Sequence, residues 1–157
     1  MKEKLRALLE DPRCVKALAT VGEAGAPHVV YKDSMRLDAD GNLEFYEMVE
    51  TSQTGRNLVH CLWYGKEVAV NLLGSGGESL QIKGVPVRAV VCGDAFEAAY
   101  VKLRERYGGD ADLSAIWTVE VREVRGNGLA HRLARQRERF PLIGHIDRFV
   151  DRERIGE

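Results

Sequence analysis

The chain has 157 residues with 45% apolar and 30% charged content, which is enough for one soluble globular domain with a buried core. Its formal net charge of −1 gives no overall attraction to nucleic acid or anionic membrane, and no apolar run is long enough to span a bilayer. The N-terminal segment MKEKLRALLEDPRC lacks the sustained apolar core of a secretory signal, so we expect a cytoplasmic protein.

The first half of the chain is predicted to form a short helix and three strands. Residues 3–10 place leucines on one side of a helix that ends before Pro12. Extended patterns follow, separated by the turn sequences GEAGAP and DADG. We predict an antiparallel meander with strands at CVKALATV (14–21), HVVYKDSMRL (28–37) and NLEFYEMV (42–49).

The second half is predicted to contain two helices and three more strands. Apolar residues with helical spacing indicate a helix over residues 52–64. Gly84 and Pro86 interrupt the alternating run over residues 79–92, which indicates a bulge or an edge position. The other elements are a strand at 67–74, a helix at 95–109 capped by Asp94, and a strand at 113–124.

Six strands with peripheral helices predict a mainly β fold. The repeated glycine interruptions favour a closed or nearly closed antiparallel barrel over a flat sandwich. After Gly126 the chain has few residues typical of strands and becomes rich in arginine. We therefore expect a barrel domain over residues 1–126 and an arginine-rich C-terminal extension over residues 127–157. Its stretch HRLARQRER is interpreted as a solvated or partner-facing arm rather than a nucleic-acid site.

Cysteine and histidine spacing argues against disulfides and metal sites. Cys14, Cys61 and Cys92 lie far apart, form no C-x-x-C pair and leave an odd count. The four histidines show no metal-ligand spacing with each other or with the cysteines. We expect reduced, mostly buried thiols and no structural metal.

A polar cluster follows the third predicted strand, where a helix would begin. The backbone N–H groups of a helix N-terminus, together with hydroxyls and an arginine, can hold a phosphate. The same residue types also serve as ordinary helix caps, and the local sequence alone favours capping, with the arginine solvated. The cluster consists of Thr51, Ser52, Gln53, Thr54, Arg56 and Asn57.

The succession of these elements resembles the FMN-binding split β-barrel family, which includes the pyridoxamine 5′-phosphate oxidase-like flavoproteins. The resemblance covers about residues 5–125. It is carried by the order of a short helix, ALATVGEAGAPHVV, a DG turn, FYE, a polar cluster ending in RNL, an apolar strand and IKGVPVRA. It implies a six-stranded antiparallel split barrel that forms a homodimer, with one FMN at each end of the interface touching both subunits.

The resemblance also implies which residues contact FMN. The cluster would hold the phosphate through Thr51, Ser52, Gln53, Thr54 and Asn57, with Arg56 as the nearby cation. The strand after the first hairpin would pass the isoalloxazine ring with Lys32, Asp33, Ser34 and Met35. Many family members place an Arg-Lys or His-Lys pair in the cluster, whereas this chain has Ser52-Gln53 and therefore fewer charge-assisted bonds to offer.

No catalytic acid, base or nucleophile can be named from the sequence, which agrees with a reaction performed by a flavin. We predict an FMN-dependent oxidoreductase or electron-transfer flavoprotein that acts on a small molecule or a redox partner. Two alternatives differ in class. One is a split-barrel protein that binds haem or a deazaflavin cofactor without turnover, and the other is a structural dimer whose arginine-rich tail binds a partner. Trp63 and Tyr64 are interpreted as core or dimer contacts rather than cofactor contacts.

Overall fold

The computed structural model describes residues 2–142, in which seven strands form one antiparallel sheet accompanied by four helices. The sheet order is β2-β1-β5-β6-β7-β4-β3. The predicted mainly β fold with peripheral helices is confirmed. The elements are α1 (Lys2–Glu10), β1 (Val15–Val21), β2 (Pro27–Tyr31), β3 (Arg36–Leu37), β4 (Leu43–Glu47), α2 (Gln53–Tyr64), β5 (Val68–Leu73), β6 (Ser79–Val90), α3 (Asp94–Tyr107), β7 (Ala115–Gly126) and α4 (Leu129–Arg139).

A turn divides the predicted second strand into β2 and β3, so the sheet has seven strands rather than six. The Met35 N–H donates to the Lys32 carbonyl at 3.2 Å, and Asp33 and Ser34 take the two central positions, where short polar side chains are favoured. β2 pairs with β1, whereas β3 pairs with β4 at the opposite end of the sheet, so the predicted three-strand meander was wrong. Because only this turn joins the two edge strands, the sheet curls until its edges approach each other.

The main core fills the inside of the curled sheet. Alternate residues of β1, β4 and β5 point inward, as expected for strands with one buried face. Three leucines of α1 and the inner face of α2 extend this core at its ends. Its fully buried side chains include Leu18, Leu43, Phe45, Leu58 and Leu72.

A smaller core lies between α3 and the outer face of β7. Ala99 and Leu103 of α3 pack there with Leu113 and Ile116. As a result β7 is buried on both faces from Ala115 to Val119. Helix α3 begins at Asp94 with Gly93 as its N-cap and has no side-chain cap bond, so the predicted capping by Asp94 was wrong.

The predicted irregularity of the long strand β6 is confirmed by register shifts at Lys83/Gly84 and at Pro86/Arg88. A Cβ at Gly84 would lie 2.4 Å from the backbone oxygen of Glu120, so only glycine permits this close approach of β6 to β7.

The segment after β7 forms α4, none of whose residues is buried. The predicted division into residues 1–126 and 127–157 stays a prediction, and residues 143–157 of that extension lie outside the described residues. Cys14 and Cys61 are buried and Cys92 is exposed, and all three are free thiols, as predicted. Within residues 2–142 no helix combines the length and apolar character needed to cross a membrane.

Candidate functional site

The polar cluster forms the start of α2, where the sequence predicts it. Ser52 is the N-cap, and its Oγ accepts the N–H of Gly55 at 2.8 Å, which confirms the capping interpretation for this residue. The backbone N–H groups of Gln53 and Thr54 lie in the first turn, where an α-helix provides no intrahelical acceptor. These two donors are therefore suited to water or to an anion.

Two cluster side chains point into the protein. Thr54 and Asn57 are each 2% exposed. His28 Nε2 lies 3.0 Å from Thr54 Oγ1, and Asn57 Nδ2 donates to Thr20 Oγ1 at 3.0 Å. Asn57 Oδ1 accepts a third hydrogen bond, from Gln53 Nε2 at 2.7 Å. These contacts tie the start of α2 to β1 and β2, so Thr54 and Asn57 support the cluster from behind.

Arg56 lies across the outside of the same turn. Its Nη1 donates to the Thr51 carbonyl at 2.6 Å and its Nη2 to Gln53 Oε1 at 2.8 Å. All three residues are exposed. Two of the guanidinium donors are therefore already bonded within the loop and first turn to which Arg56 belongs.

The side chains of the turn between β2 and β3 have different environments. Met35 is 1% exposed and belongs to the main core. Ser34 is half-buried, and its Oγ accepts the Tyr46 N–H at 2.9 Å. Asp33 is exposed. The structure therefore places these predicted ring-facing residues in a turn rather than a strand, with the Met35 side chain directed into the core.

Lys32 begins this turn and forms a largely buried ion pair with Glu47 at the end of β4. Lys32 Nζ donates to Glu47 Oε2 at 2.8 Å, and the two side chains are 13% and 4% exposed. Glu47 Oε1 also accepts the Val49 N–H at 3.2 Å. The Glu47 Cγ lies 4.0 Å from the place a Cβ would take at Gly55. Glu47 thus connects the Lys32 turn with the start of α2.

Sequence reasoning missed Glu47, although a signal was present. Leu43, Phe45 and Glu47 alternate along β4 and share its buried face. A carboxylate on the apolar face of a strand needs a partner, because an unpaired buried charge is costly. That partner is Lys32.

The Lys32 turn and the end of β4 border a cavity of about 300 Å³, which α3 closes on another side with Leu103 and Tyr107. The Ser52 N–H donates to the carbonyl of the lining residue Val49 at 3.1 Å, so the polar cluster begins beside this cavity. The two predicted cofactor segments are therefore neighbours in space. A second cavity of about 400 Å³ shares Ser34, Tyr46 and the α3 residues with the first.

Trp63 and Tyr64 lie at the end of α2 and are 77% and 69% exposed, so the predicted core role was wrong for both. A dimer contact stays a prediction for them.

The chain matches no protein-family model and no curated protein. Solved structures do match it. An FMN-binding protein from Syntrophomonas wolfei is 13% identical over 81% of this chain and 86% of that chain, with a TM-score of 0.65. HutZ, described as the haem storage protein of Vibrio cholerae, is 15% identical over 82% of this chain and 97% of that chain, with a TM-score of 0.58. A structure named F420 reductase is 25% identical over 76% of this chain and 94% of that chain, with a TM-score of 0.56.

These structures share a fold but carry the names of different cofactors. A protein from Lactobacillus delbrueckii assigned as a pyridoxamine 5′-phosphate oxidase has the same fold, at 17% identity over 80% of this chain and 93% of that chain, with a TM-score of 0.62. Similarity at this level of identity establishes architecture and leaves the ligand open. In its fold, the chain is a split barrel of the pyridoxamine 5′-phosphate oxidase-like type, as the succession of its sequence elements predicted.

Proposed function

We propose that the protein is an FMN-binding flavoprotein and an oxidoreductase that acts on a small molecule or in electron transfer. The observation that carries the proposal is the proximity of the two predicted cofactor segments: the turn at Lys32, Asp33 and Ser34 lines the 300 Å³ cavity, and the polar cluster at the start of α2 begins beside it, where the Ser52 N–H donates to the carbonyl of the lining residue Val49. Each segment was singled out from the sequence for a different part of the same cofactor.

The donors at the start of α2 fit a phosphate. The first-turn N–H groups of Gln53 and Thr54 and the exposed hydroxyl of Thr51 would hold it, aided by the positive end of the helix dipole. Thr54 and Asn57 side chains would position this turn through Thr20 and His28.

The cavity itself fits part of a flavin ring. Tyr46, Leu103 and Tyr107 give it apolar walls, and the turn at Asp33 and Ser34 supplies polar groups at its edge. When bound, the flavin would supply the electron or hydride transfer, while these residues bind it and exclude water. Met35 would contribute through its backbone, because its side chain lies in the core.

We also propose that a second copy of the chain completes the site. The outer face of β2, β1 and β5 is largely apolar and open: Val29, Tyr31 and Leu73 are 61%, 73% and 45% exposed, and the small residues Ala19 and Ala17 of β1 lie opposite Val29 and Tyr31. Tyr31 also lines the 300 Å³ cavity. A homodimer formed through this face would therefore bring the partner next to the cofactor. Open apolar patches of this kind are typical of association sites.

The second cavity supports a small substrate that carries negative charge. Among its lining residues are four basic and two acidic side chains, from the end of α1, β1, the turn, β3 and α3. Of the four basic side chains, Lys16 donates to three backbone carbonyls and Arg36 pairs with Glu44, so Lys102 and Arg106 of α3 are the two that would meet an anion.

A haem or deazaflavin protein without turnover is the second candidate, favoured by the similarity to HutZ and to F420 reductase. Within the described part of the chain, no histidine lines the 300 Å³ cavity. Axial ligation of haem there would fall to a tyrosine or to Met48.

Incubation of the purified protein with FMN, haemin or a deazaflavin cofactor, followed by desalting, tests these candidates. We expect flavin absorbance to stay with the protein. A Soret band retained with haemin and no retained flavin would overturn the proposal. Ser34 lines the cavity, so Ser34→Trp would fill it with a large side chain and should abolish the retention of flavin. The matched variant Ser75→Trp, in an exposed loop, should still retain flavin.

A further inference from the structure

Lys16 of β1 is a buried cation that, within residues 2–142, has no carboxylate partner. It is 6% exposed and lies on the inward face of β1 with Leu18. Its ammonium donates to the carbonyls of Leu9, Asp33 and Met35, at 2.7, 3.3 and 3.3 Å. Because a lysine ammonium has three donors, these carbonyls saturate it and replace the water that it loses on burial.

The three carbonyls belong to two segments, which Lys16 joins. Leu9 lies in the last turn of α1, where the final carbonyls have no intrahelical partner and a cation is favourable. Asp33 and Met35 belong to the turn between β2 and β3, which borders the 300 Å³ cavity. Capping of α1 accounts for one of the hydrogen bonds, whereas the other two fix the backbone of the turn.

The bond from Lys16 determines which way the central peptide of this turn faces. The Met35 N–H closes the turn on the Lys32 carbonyl. The peptide that joins Asp33 to Ser34 therefore has no partner inside the turn, and its carbonyl accepts from Lys16. This peptide is trans, and the N–H of a trans peptide points away from its carbonyl. The Ser34 N–H thus points away from Lys16.

The 300 Å³ cavity lies on the outer side of the sheet, whereas Lys16 approaches the turn from inside the barrel. Ser34 lines the cavity together with Tyr46, on the outer face of β4, and Leu103 of α3. Of the two cavities at this turn, Lys16 lines only that of 400 Å³. Within residues 2–142 the Ser34 N–H donates to no acceptor. This donor is therefore available to a ligand in the 300 Å³ cavity.

We propose that the Ser34 backbone N–H donates a hydrogen bond to the flavin ring, and that Lys16 is the positioning residue that directs it into the cavity. The charge of Lys16 also polarises the Asp33 carbonyl, which makes the N–H of the same peptide a stronger donor. Because Lys16 lies on another strand, the donor keeps its direction before a ligand arrives. The inference rests on the proposed FMN function.

FMN and riboflavin share the ring but not the phosphate, so their affinities test a ring contact. Lys16→Met removes the ammonium and keeps an unbranched side chain, and we expect it to weaken the binding of both flavins by a similar factor of about 10. Ile82→Ala, in the main core two strands away, is the control for lost stability and should change either affinity by less than about 3-fold. A loss confined to FMN, or unchanged affinity for both flavins in Lys16→Met, would overturn the proposal.

Amide NMR observes the proposed donor directly. When FMN is added to the wild type, the Ser34 amide proton should move downfield and exchange with solvent about 10-fold more slowly, because a free N–H gains an acceptor. Ile82→Ala should show the same response, and Lys16→Met should lose most of it. A Ser34 amide that does not respond while FMN is bound would rule out the hydrogen bond to the ring.

The unliganded protein tests Lys16 separately from flavin binding. Without the ammonium the turn keeps the bond from the Met35 N–H to the Lys32 carbonyl but loses its anchor, so the Met35 amide should exchange about 10-fold faster in Lys16→Met and not in Ile82→Ala. If Lys16→Met does not fold, Lys16→Gln, which keeps two donors without the charge, should change the exchange in the same direction. A wild type that binds neither flavin would overturn the proposed function, while the Met35 amide would still decide the role of Lys16 in the turn. Unchanged exchange of that amide would show that Lys16 does not position the turn.

Discussion

Asn57 of α2 and Thr20 of β1, 37 residues apart in the sequence, are joined in the interior by a hydrogen bond of 3.0 Å from Asn57 Nδ2 to Thr20 Oγ1. The Asn57 amide also lies close to Gly22 of the loop after β1. A Cβ at Gly22 would lie 2.6 Å from Asn57 Oδ1, so a larger residue there would displace the amide. The first turn of α2 is therefore fixed against the barrel wall. A turn fixed in this way would lose little conformational freedom on binding a ligand.

Asn57→Leu tests this attachment. The leucine fills a similar volume but leaves the Thr20 hydroxyl and the Gln53 amide without their partner, so we expect the free energy of unfolding to fall by about 2 to 4 kcal/mol. Urea denaturation measures the loss. Gln53→Ala, at the exposed end of the same network, should cost less than about 1 kcal/mol. Equal costs for the two variants would show that the buried bond is not what fixes the turn.

The ion pair between Lys32 and Glu47 allows a double-mutant cycle. Lys32→Met alone leaves a carboxylate that is 4% exposed without its partner, and we expect a loss of about 3 kcal/mol. Lys32→Met combined with Glu47→Leu removes both charges and should regain most of that loss. Chemical denaturation of the two single variants and the double variant gives the coupling energy. Additive losses would contradict a buried, coupled pair.

Much of the fold was predictable because its elements carry local signals. Alternating strands, the glycine-rich turns and the helical spacing after residue 52 each matched the structure to within a few residues. The break at Asp33 and Ser34 was not recognised, because the apolar alternation continues on both sides of these two polar residues. Which strands pair across the sheet depends on long-range contacts, and the local pattern of β2 and β3 does not contain them.

The candidate site was predictable in location but not in the direction of its side chains. Helix-start chemistry identified the cluster that begins at Thr51. Whether Thr54 or Gln53 faces the core depends on how α2 sits on β1 and β2, and polar residue type alone does not reveal it. The ion pair of Lys32 and Glu47 joins the turn after β2 to the end of β4, and because β2 and β4 pair with different neighbours, it forms only when the sheet curls.

The proposed dimer face predicts a change in oligomeric state. Val29→Arg places a charge in the middle of the open apolar face of β2, where it would be buried without a partner in the dimer. We expect the variant to be monomeric in size-exclusion chromatography with light scattering, and to lose FMN binding with the partner subunit. Val101→Arg, on the exposed side of α3 at 54% exposure, is the matched control and should remain dimeric. A wild type that elutes as a monomer would contradict the proposed interface.

The buried thiols predict an alkaline limit to stability. Loss of hydration on burial is the main cause that raises the pKa of both Cys14 and Cys61. The folded protein therefore keeps these protons at pH values where the unfolded chain, with thiols that titrate at about 8.5, releases them. Because the folded state then binds more protons than the unfolded state, the contribution of these thiols is complete below about pH 8.5 and is lost as the pH rises further.

Cys61→Ala separates this effect from the titration of other groups. The Cys61 thiol is fully buried and donates to the Val21 carbonyl at 3.5 Å. Deprotonation in the folded protein would therefore place a negative thiolate in the apolar core, which is unfavourable. We expect Cys61→Ala to be less stable than the wild type at neutral pH, but to lose less stability between about pH 8 and pH 10. Cys92→Ala, at an exposed position, should leave the slope unchanged. Parallel curves for Cys61→Ala and the wild type would mean that this thiol does not titrate differently in the folded and unfolded states.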